Sequence, residues 1–218
     1  MKPKLQIALD TFDLPSTLGP LQKAVDHIDI IEVGTILCLS EGMHAVRIIR
    51  SLYPEKTILA DVRIAEAGSV ISKLAFDAGA DWVSVVSGAA SSSFEVVLQE
   101  AKSRGGDVQI ELSDGWTWDK VELWADLGVE QIIVKRSRDL EAQGQLTWND
   151  SDFETIRRLH DMGYKVTVTG GVKAKDIGLF KDVPVDIFIA GRALVQAVDP
   201  AAAAREFQQA IVETFDES

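Results

Sequence analysis

Residues 57–68 read TILADVRIAEAG, a β-strand pattern that runs directly into a helical pattern. The first part is rich in Ile, Leu and Val, and apolar residues at helical spacing follow Gly68. A chain that only needed a turn would place Gly, Asn or Pro at such a junction. Here the junction carries Asp61, Arg63 and Glu66, with the spacing Asp-x-Arg-x-x-Glu. The stretch predicts a β–α unit with charged side chains at the end of its strand.

The same β–α unit recurs along the whole chain. Runs rich in Val and Ile occupy residues 4–10, 28–34, 57–64, 81–87, 107–113, 130–136, 165–171 and 185–192. Several are continuously apolar, as in parallel strands buried on both faces, and helical patterns separate them. The alternation predicts an α/β fold, a (β/α)₈ TIM barrel with its site at the carboxyl ends of the strands. An open doubly wound sheet is the alternative. Because no linker is apparent, residues 1–218 are expected to form a single domain.

Composition excludes some classes of partner. The net charge of −12 disfavours binding to nucleic acid and to anionic membranes, although a local site can still hold a small anion. The amino terminus lacks the apolar stretch of a signal peptide, and no run reaches about 18 apolar residues, so we expect no membrane span and a cytoplasmic location. The one cysteine, Cys38, lies in an apolar run and is expected to be a buried structural thiol.

Carboxylates follow the first three strands. Asp10, Glu32 and Asp61 lie at or near consecutive strand ends and could converge on one divalent cation. Oxygen ligands without His or Cys favour Mg²⁺. The alternative is a hydrogen-bonded network that includes Arg63.

Later strands add further polar ends. Strand 5 carries Glu111, and strand 6 ends in Lys135 and Arg136, with Arg138 just beyond. Strands 7 and 8 end in VTGG (168–171) and AGR (190–192). Glycines at this corner of a barrel let backbone N–H groups approach a phosphate, although a tight turn would also use them. The pattern favours a small phosphorylated substrate.

The chain resembles the orotidine 5′-monophosphate decarboxylase suprafamily and, within it, the 3-keto-L-gulonate 6-phosphate decarboxylases. The resemblance covers essentially the whole chain and is carried by LQIALD, IDIIEVGTILCLSEG, GDVQIEL, WTW, RSRD, DMGYKVTVTGG and FIAGR. It implies a homodimeric barrel that uses Mg²⁺ to decarboxylate 3-keto-L-gulonate 6-phosphate, or a close 3-keto-hexonate 6-phosphate. The products would be L-xylulose 5-phosphate and CO₂, formed through an enediolate, as part of L-ascorbate utilisation.

The resemblance also implies roles for individual residues. Glu32 and Asp61 would hold the metal, and Asp10 would bind substrate. Glu111 would orient the substrate, and Arg138 would help to position the proton donor through water. The pocket wall and the phosphate site would be formed by the last two strand ends, namely Thr169, Gly170, Gly171, Gly191 and Arg192.

The junction at 61–66 departs from the suprafamily pattern. The signature Asp-x-Lys-x-x-Asp is Asp61-x-Arg63-x-x-Glu66 here, and the family's histidine before RSRD is Lys135. An Arg63–Glu66 pair could replace the Lys–Asp pair, and Glu66 is expected to enter the partner's site. Lys135 could supply the proton, directly or through water.

Two rival functions stay open. Hexulose-phosphate synthases, which are aldolases, share the scaffold and the enediolate. They tend to carry Asp where this chain has Glu111 and a small residue where it has Thr169, and they lack an equivalent of Arg138. The altered junction also leaves a sugar-phosphate-binding barrel with altered or lost activity as an alternative.

Overall fold

The computed structural model describes residues 2–136 and 148–216. Its strands are β1 Lys4–Leu9, β2 Ile30–Val33, β3 Thr57–Ile64, β4 Trp82–Val86, β5 Asp107–Glu111, β6 Gln131–Lys135, β7 Lys165–Thr169 and β8 Ile187–Ala190. Each strand pairs in parallel with the next, and β8 pairs with β1, so the sheet closes. The predicted (β/α)₈ barrel is confirmed, and the open-sheet alternative is wrong.

Helices connect the strands on the outside of the barrel. They are α1 Leu14–Ala24, α2 Thr35–Glu41, α3 Met43–Leu52, α4 Gly68–Asp77, α5 Ser91–Ser103, α6 Trp118–Leu127, α7 Asp150–Asp161, α8 Arg192–Val195 and α9 Pro200–Phe215, with 3₁₀ turns at Val25–His27 and Ala174–Phe180. The link from β7 to β8 is therefore a 3₁₀ helix. Within the residues described, no helix has the length and apolarity that crossing a bilayer demands.

Burial follows the two-layer plan of the barrel. All four residues of β2 are buried, because one face meets the barrel interior and the other meets the helices. Helix α3 buries Ala45, Val46 and Ile49 against the barrel. The predicted stripe also included Leu52, which is 52% exposed because it is the last residue of the helix.

Local sequence signals set several helix starts. Asn149 begins α7 with a capping box, in which its side chain accepts from the backbone N–H groups of Ser151 and Asp152. The Asp152 side chain accepts in return from the backbone N–H of Asn149. Asp199 caps α9, which has proline at its first helical position. These caps fix where the chain enters a helix after each strand-end loop.

Candidate active site

A cavity of about 1170 Å³ lies at the carboxyl ends of the strands. The residues predicted for the site that line it are Asp10, Glu32, Asp61, Arg63, Glu111, Lys135, Thr169, Gly170, Gly171, Gly191 and Arg192. Strand-end acids, cations and the glycine corner therefore face one cavity. Glu66 is not among the lining residues, and Arg138 lies outside the described residues.

The end of β3 is irregular where the charged residues lie. Its register against β4 shifts between Ala60 and Ile64, and Arg63 has a left-handed φ of 46°. A non-glycine residue in that region is uncommon and marks local strain. Ser84 of β4, which is fully buried, accepts a hydrogen bond from the Arg63 N–H at 2.8 Å and thereby holds the irregular backbone.

Asp61 is fixed by two hydroxyl groups. Ser84 Oγ donates to Asp61 Oδ1 at 2.6 Å, and Thr35 Oγ1 donates to Oδ2 at 2.5 Å. The residue is only 8% exposed. Because each carboxylate oxygen has two lone pairs, a single hydroxyl bond leaves capacity on each oxygen for a further partner. Asp61 is thus a preoriented acceptor in the cavity wall.

Glu32 on β2 is buried beside other acids. Gln6 Nε2 donates to its Oε2 at 2.7 Å. Burial raises the pKa of Glu32 well above its ordinary value, and the negative charges of Asp61, Asp10 and Glu111 raise it further. A cation at this point would favour the ionised form, because it would offset both the desolvation and the repulsion.

The buried thiol of Cys38 lies in the same negative environment. Its Sγ donates to the Val33 carbonyl at 3.3 Å. Burial raises the pKa of Cys38 to about 12, with Asp61, Glu32 and Asp10 as further causes. The thiol stays protonated at neutral pH, which confirms the predicted structural role and leaves it without thiolate chemistry.

The donor set fits an open magnesium site. Among the described residues, no group of three or more His, Cys, Asp or Glu side chains lies close enough to hold a metal. The prediction that Asp10, Glu32 and Asp61 form a three-carboxylate centre is therefore wrong for this structure. Glu32 and Asp61 would supply two oxygen ligands, and water or substrate the rest, which is the usual pattern for Mg²⁺.

Asp10 is placed by a close approach of two loops. Its Oδ1 accepts from the Ile36 N–H at 3.3 Å. A Cβ atom on Gly34 would collide with this carboxylate, so any larger residue at Gly34 would displace Asp10 from the cavity wall. This glycine has a site role that the sequence analysis did not identify.

Glu111 joins the two residues that depart from the family pattern. Its Oε1 contacts Arg63 Nη2 at 2.6 Å and Lys135 Nζ at 3.1 Å. Glu111 is 6% exposed, so the two ion pairs are partly shielded from water. Three strands, β3, β5 and β6, thereby contribute to one charged cluster in the cavity.

The suggested Arg63–Glu66 pair does not form within the chain. Arg63 points to Glu111, whereas Glu66 lies in the exposed loop after β3. The strand explains the difference: Asp61 and Arg63 are two residues apart and share one face, but the chain has left the strand before Glu66.

The glycine corner closes the opposite side of the cavity. Thr169 ends β7, and Gly170 and Gly171 follow it with φ values of 103° and 70°. Gly191 follows β8, and the short helix α8 begins at Arg192. In the barrel order β7 lies four strands from β3, so this corner faces the carboxylates across the mouth. The predicted opposition of acids and glycines is confirmed.

Some functional side chains were missed by the sequence analysis. Gln6, Thr35 and Ser84 orient the two candidate metal ligands. Gln6 and Ser84 lie inside otherwise apolar strands, and a buried polar residue in such a run is a usable signal because it needs a partner. Thr35 directly follows Gly34 and carries no comparable signal.

Comparisons with known proteins agree with this geometry. The model of the Orotidine 5′-phosphate decarboxylase / HUMPS family matches residues 3–207. The chain is 46% identical over 213 residues to 3-keto-L-gulonate-6-phosphate decarboxylase UlaD of Escherichia coli O17:K52:H18, with 98% of each chain covered.

Solved structures give the same result. The crystal structure of KGPDC from Streptococcus mutans in complex with ribose 5-phosphate matches with a TM-score of 0.96 and 35% identity, over 99% of this chain and 100% of that chain. The 3-hexulose-6-phosphate synthase of Salmonella typhimurium matches with a TM-score of 0.89 and 32% identity, over 97% and 99%. The family match, the near-full-length identity and the shared barrel lead to one assignment: this chain belongs to the orotidine 5′-phosphate decarboxylase / HUMPS family.

Proposed function

We propose that this protein is a Mg²⁺-dependent decarboxylase that converts 3-keto-L-gulonate 6-phosphate, or a close 3-keto-hexonate 6-phosphate, to L-xylulose 5-phosphate and CO₂. The observation that carries the proposal is one cavity in which buried Glu32 and Asp61 face the Gly170–Gly171 corner, with Arg63 and Lys135 between them in the strand order. A role in L-ascorbate utilisation and a cytoplasmic location belong to the same proposal.

The relatives favour decarboxylation over aldol chemistry. Relatives that share 46% identity are named decarboxylases, and the synthase of Salmonella typhimurium shares 32%. Glu111 and Thr169, the residues at which synthases are expected to differ, both line the cavity. Glu111 also binds both unusual cations, which ties it to the reacting end of the substrate.

The proposed reaction breaks one carbon–carbon bond. The bond between C1 and C2 of the β-keto acid breaks, CO₂ leaves, and the electron pair moves to the C3 carbonyl oxygen to give an enediolate. A proton added at C2 then gives the ketose phosphate. The enzyme must therefore stabilise negative charge on oxygen first and deliver one proton second.

The side chains in the cavity match these two tasks. Arg63 and Lys135 place positive charge near the developing oxyanion, and Glu111 keeps both in position. Bound at Glu32 and Asp61, Mg²⁺ would supply Lewis-acid stabilisation of the same negative charge. Asp10 would orient the substrate, and the residues of the glycine corner would hold its phosphate.

Lys135 is the proposed source of the proton. We expect Lys135→Ala to lower kcat by about 10²- to 10⁴-fold, the range of general acid–base catalysis, and to scramble the face on which deuterium enters at C1 of the product in D₂O. Product labelling by NMR measures this. Lys165→Ala is the matched control, because Lys165 also pairs with a glutamate, at 2.9 Å, but at the amino end of the barrel. Stereospecific labelling by Lys135→Ala would exclude Lys135 as the donor.

A homodimer with shared sites is part of the proposal. Large apolar side chains are exposed on three consecutive β–α units: Phe12 and Leu39 are 80% exposed, Val70 is 60% exposed and Leu74 is 55% exposed. Adjacent exposed apolar side chains indicate an interaction surface. Glu66 lies on the third of these units, exposed and outside its own cavity lining, which supports a role in the partner's site.

Subunit mixing tests this arrangement. We expect Asp61→Asn and Glu66→Gln to be inactive as separate dimers and to recover activity after subunit exchange. Random exchange makes half of the dimers mixed, each with one intact site, so about a quarter of wild-type activity should return. If no activity returns although native mass spectrometry detects mixed dimers, Glu66 does not act across an interface.

The function itself is tested with a panel of substrates. CO₂ release is measured from several keto-acid 6-phosphates with and without Mg²⁺, beside a condensation assay of formaldehyde with ribulose phosphate. We expect Mg²⁺-dependent CO₂ release and no condensation. Condensation alone would indicate a synthase, and sugar-phosphate binding without either reaction would indicate a binding protein.

A further inference from the structure

Arg136, at the end of β6, is a buried cation beside the glycine corner. It is 8% exposed, and its Nε and Nη2 both donate to the Gly170 carbonyl, at 3.2 and 2.8 Å. Its guanidinium lies 4.3 Å from the centre of the Trp148 ring. The side chain is therefore held by a fork of hydrogen bonds and an aromatic face, a geometry that suits arginine and not lysine.

The contact with Gly170 is also tight along the backbone. The Arg136 N–H donates to the Thr169 carbonyl at 3.3 Å. A Cβ atom on Gly170 would lie 2.8 Å from the Cβ, N and O atoms of Arg136. Together with its φ of 103°, this excludes other residues at Gly170 without displacement of the strand ends. The ends of β6 and β7 therefore lock together at Arg136.

The lock sets the direction of one peptide group. The described residues contain no cis peptide bond, so the carbonyl of Gly170 and the N–H of Gly171 point in opposite directions within one plane. Because the carbonyl points to the guanidinium, the N–H of Gly171 points away from it, and Gly171 lines the cavity. The bond to a charged donor also polarises this peptide and strengthens its N–H as a donor.

We propose that Arg136 is a positioning residue for phosphate recognition, which orients and polarises the Gly170–Gly171 peptide so that the Gly171 N–H binds the phosphate of the substrate. This inference rests on the proposed function, because it assumes that the glycine corner binds phosphate. It assigns Arg136 no contact with the reacting carbons, so its effect should fall on affinity for the phosphorylated end and not on the chemical step.

The test compares two arginine-to-lysine variants. Arg136→Lys keeps the charge but loses the fork. Arg50→Lys is the matched control, because Arg50 Nε also donates to the carbonyl of a positive-φ glycine, Gly79, at 2.7 Å, but at the amino end of the barrel. Calorimetry measures binding of L-xylulose 5-phosphate, unphosphorylated L-xylulose, inorganic phosphate and Mg²⁺. Arg136→Gln is made in parallel in case the lysine variant does not fold.

We expect Arg136→Lys to weaken binding of inorganic phosphate and of L-xylulose 5-phosphate by about ten- to hundredfold, the value of a hydrogen bond to a charged group. Its affinity for Mg²⁺ and for L-xylulose should not change, KM should rise more than kcat falls, and Arg50→Lys should bind all probes as wild type does. Equal phosphate affinity in Arg136→Lys and wild type would overturn the inference, as would equal losses in both variants. Failure of the wild type to bind any phosphate would overturn the phosphate site itself.

Discussion

Removal of divalent cations with EDTA is expected to reduce turnover by about 10³-fold or more, because the enediolate would lose its Lewis acid. The loss should be large because the protein environment makes no other use of two adjacent buried acids. Glu32 and Asp61 are 7% and 8% exposed, and repulsion between them contributes to the raised pKa of Glu32. Without a cation, this part of the cavity is left with an uncompensated negative field that opposes a second negative charge on the substrate.

Mg²⁺ added back after EDTA should restore turnover, and direct titration should locate the site. Calorimetric Mg²⁺ binding is expected for wild type and should be lost in Glu32→Gln and Asp61→Asn. Glu130→Gln serves as the control, because Glu130 pairs with Lys165 at the amino end of the barrel and should leave Mg²⁺ binding unchanged. Full activity of the EDTA-treated protein would contradict the assignment of both ligands.

Arg63→Ala is expected to lower kcat by about 10²- to 10³-fold, the cost of losing one donor to a developing oxyanion. Its affinity for inorganic phosphate should stay within about twofold of wild type, because β3 lies across the barrel from β7 and the binding of phosphate does not depend on it. Single-turnover kinetics measures the first quantity and calorimetry the second.

Two further variants make this result specific. Arg104→Ala removes an arginine that pairs with Asp77 at 2.7 Å on the outer surface, and it should leave kcat unchanged. Arg63→Lys restores the usual residue of the family motif and should retain more activity than Arg63→Ala if positive charge is the main contribution. Equal losses of kcat and phosphate affinity in Arg63→Ala would instead make Arg63 a phosphate-binding residue.

Much of the architecture could be predicted because strand and helix patterns are local. The predicted run 57–64 coincides with β3, Thr57–Ile64, and the other strands differ from their predicted runs only at the ends. Parallel closure then brings every strand end to one face, so charged residues that are far apart in sequence could be assigned to one site. The opposition of Asp61 and the glycine corner follows from strand order alone.

Pairing between side chains was not predictable in the same way. Glu66 lies three residues from Arg63 and has the right charge, yet Arg63 contacts Glu111, which is 48 positions further along the chain (111 − 63). The bulge between Ala60 and Ile64 and the left-handed φ of Arg63 set this direction, and they depend on the fit of β3 against Ser84 of β4.

The amino-acid sequence by itself determined the barrel, the strand ends that carry chemistry and the family, because hydrophobic periodicity and strand order are properties of the chain read in one dimension. Only the tertiary structure decided that Glu111 is the common partner of Arg63 and Lys135, that two acids and not three face a metal, and that Arg136 holds Gly170. The reason is that each of these contacts joins different strands, and its geometry exists only once the sheet has closed.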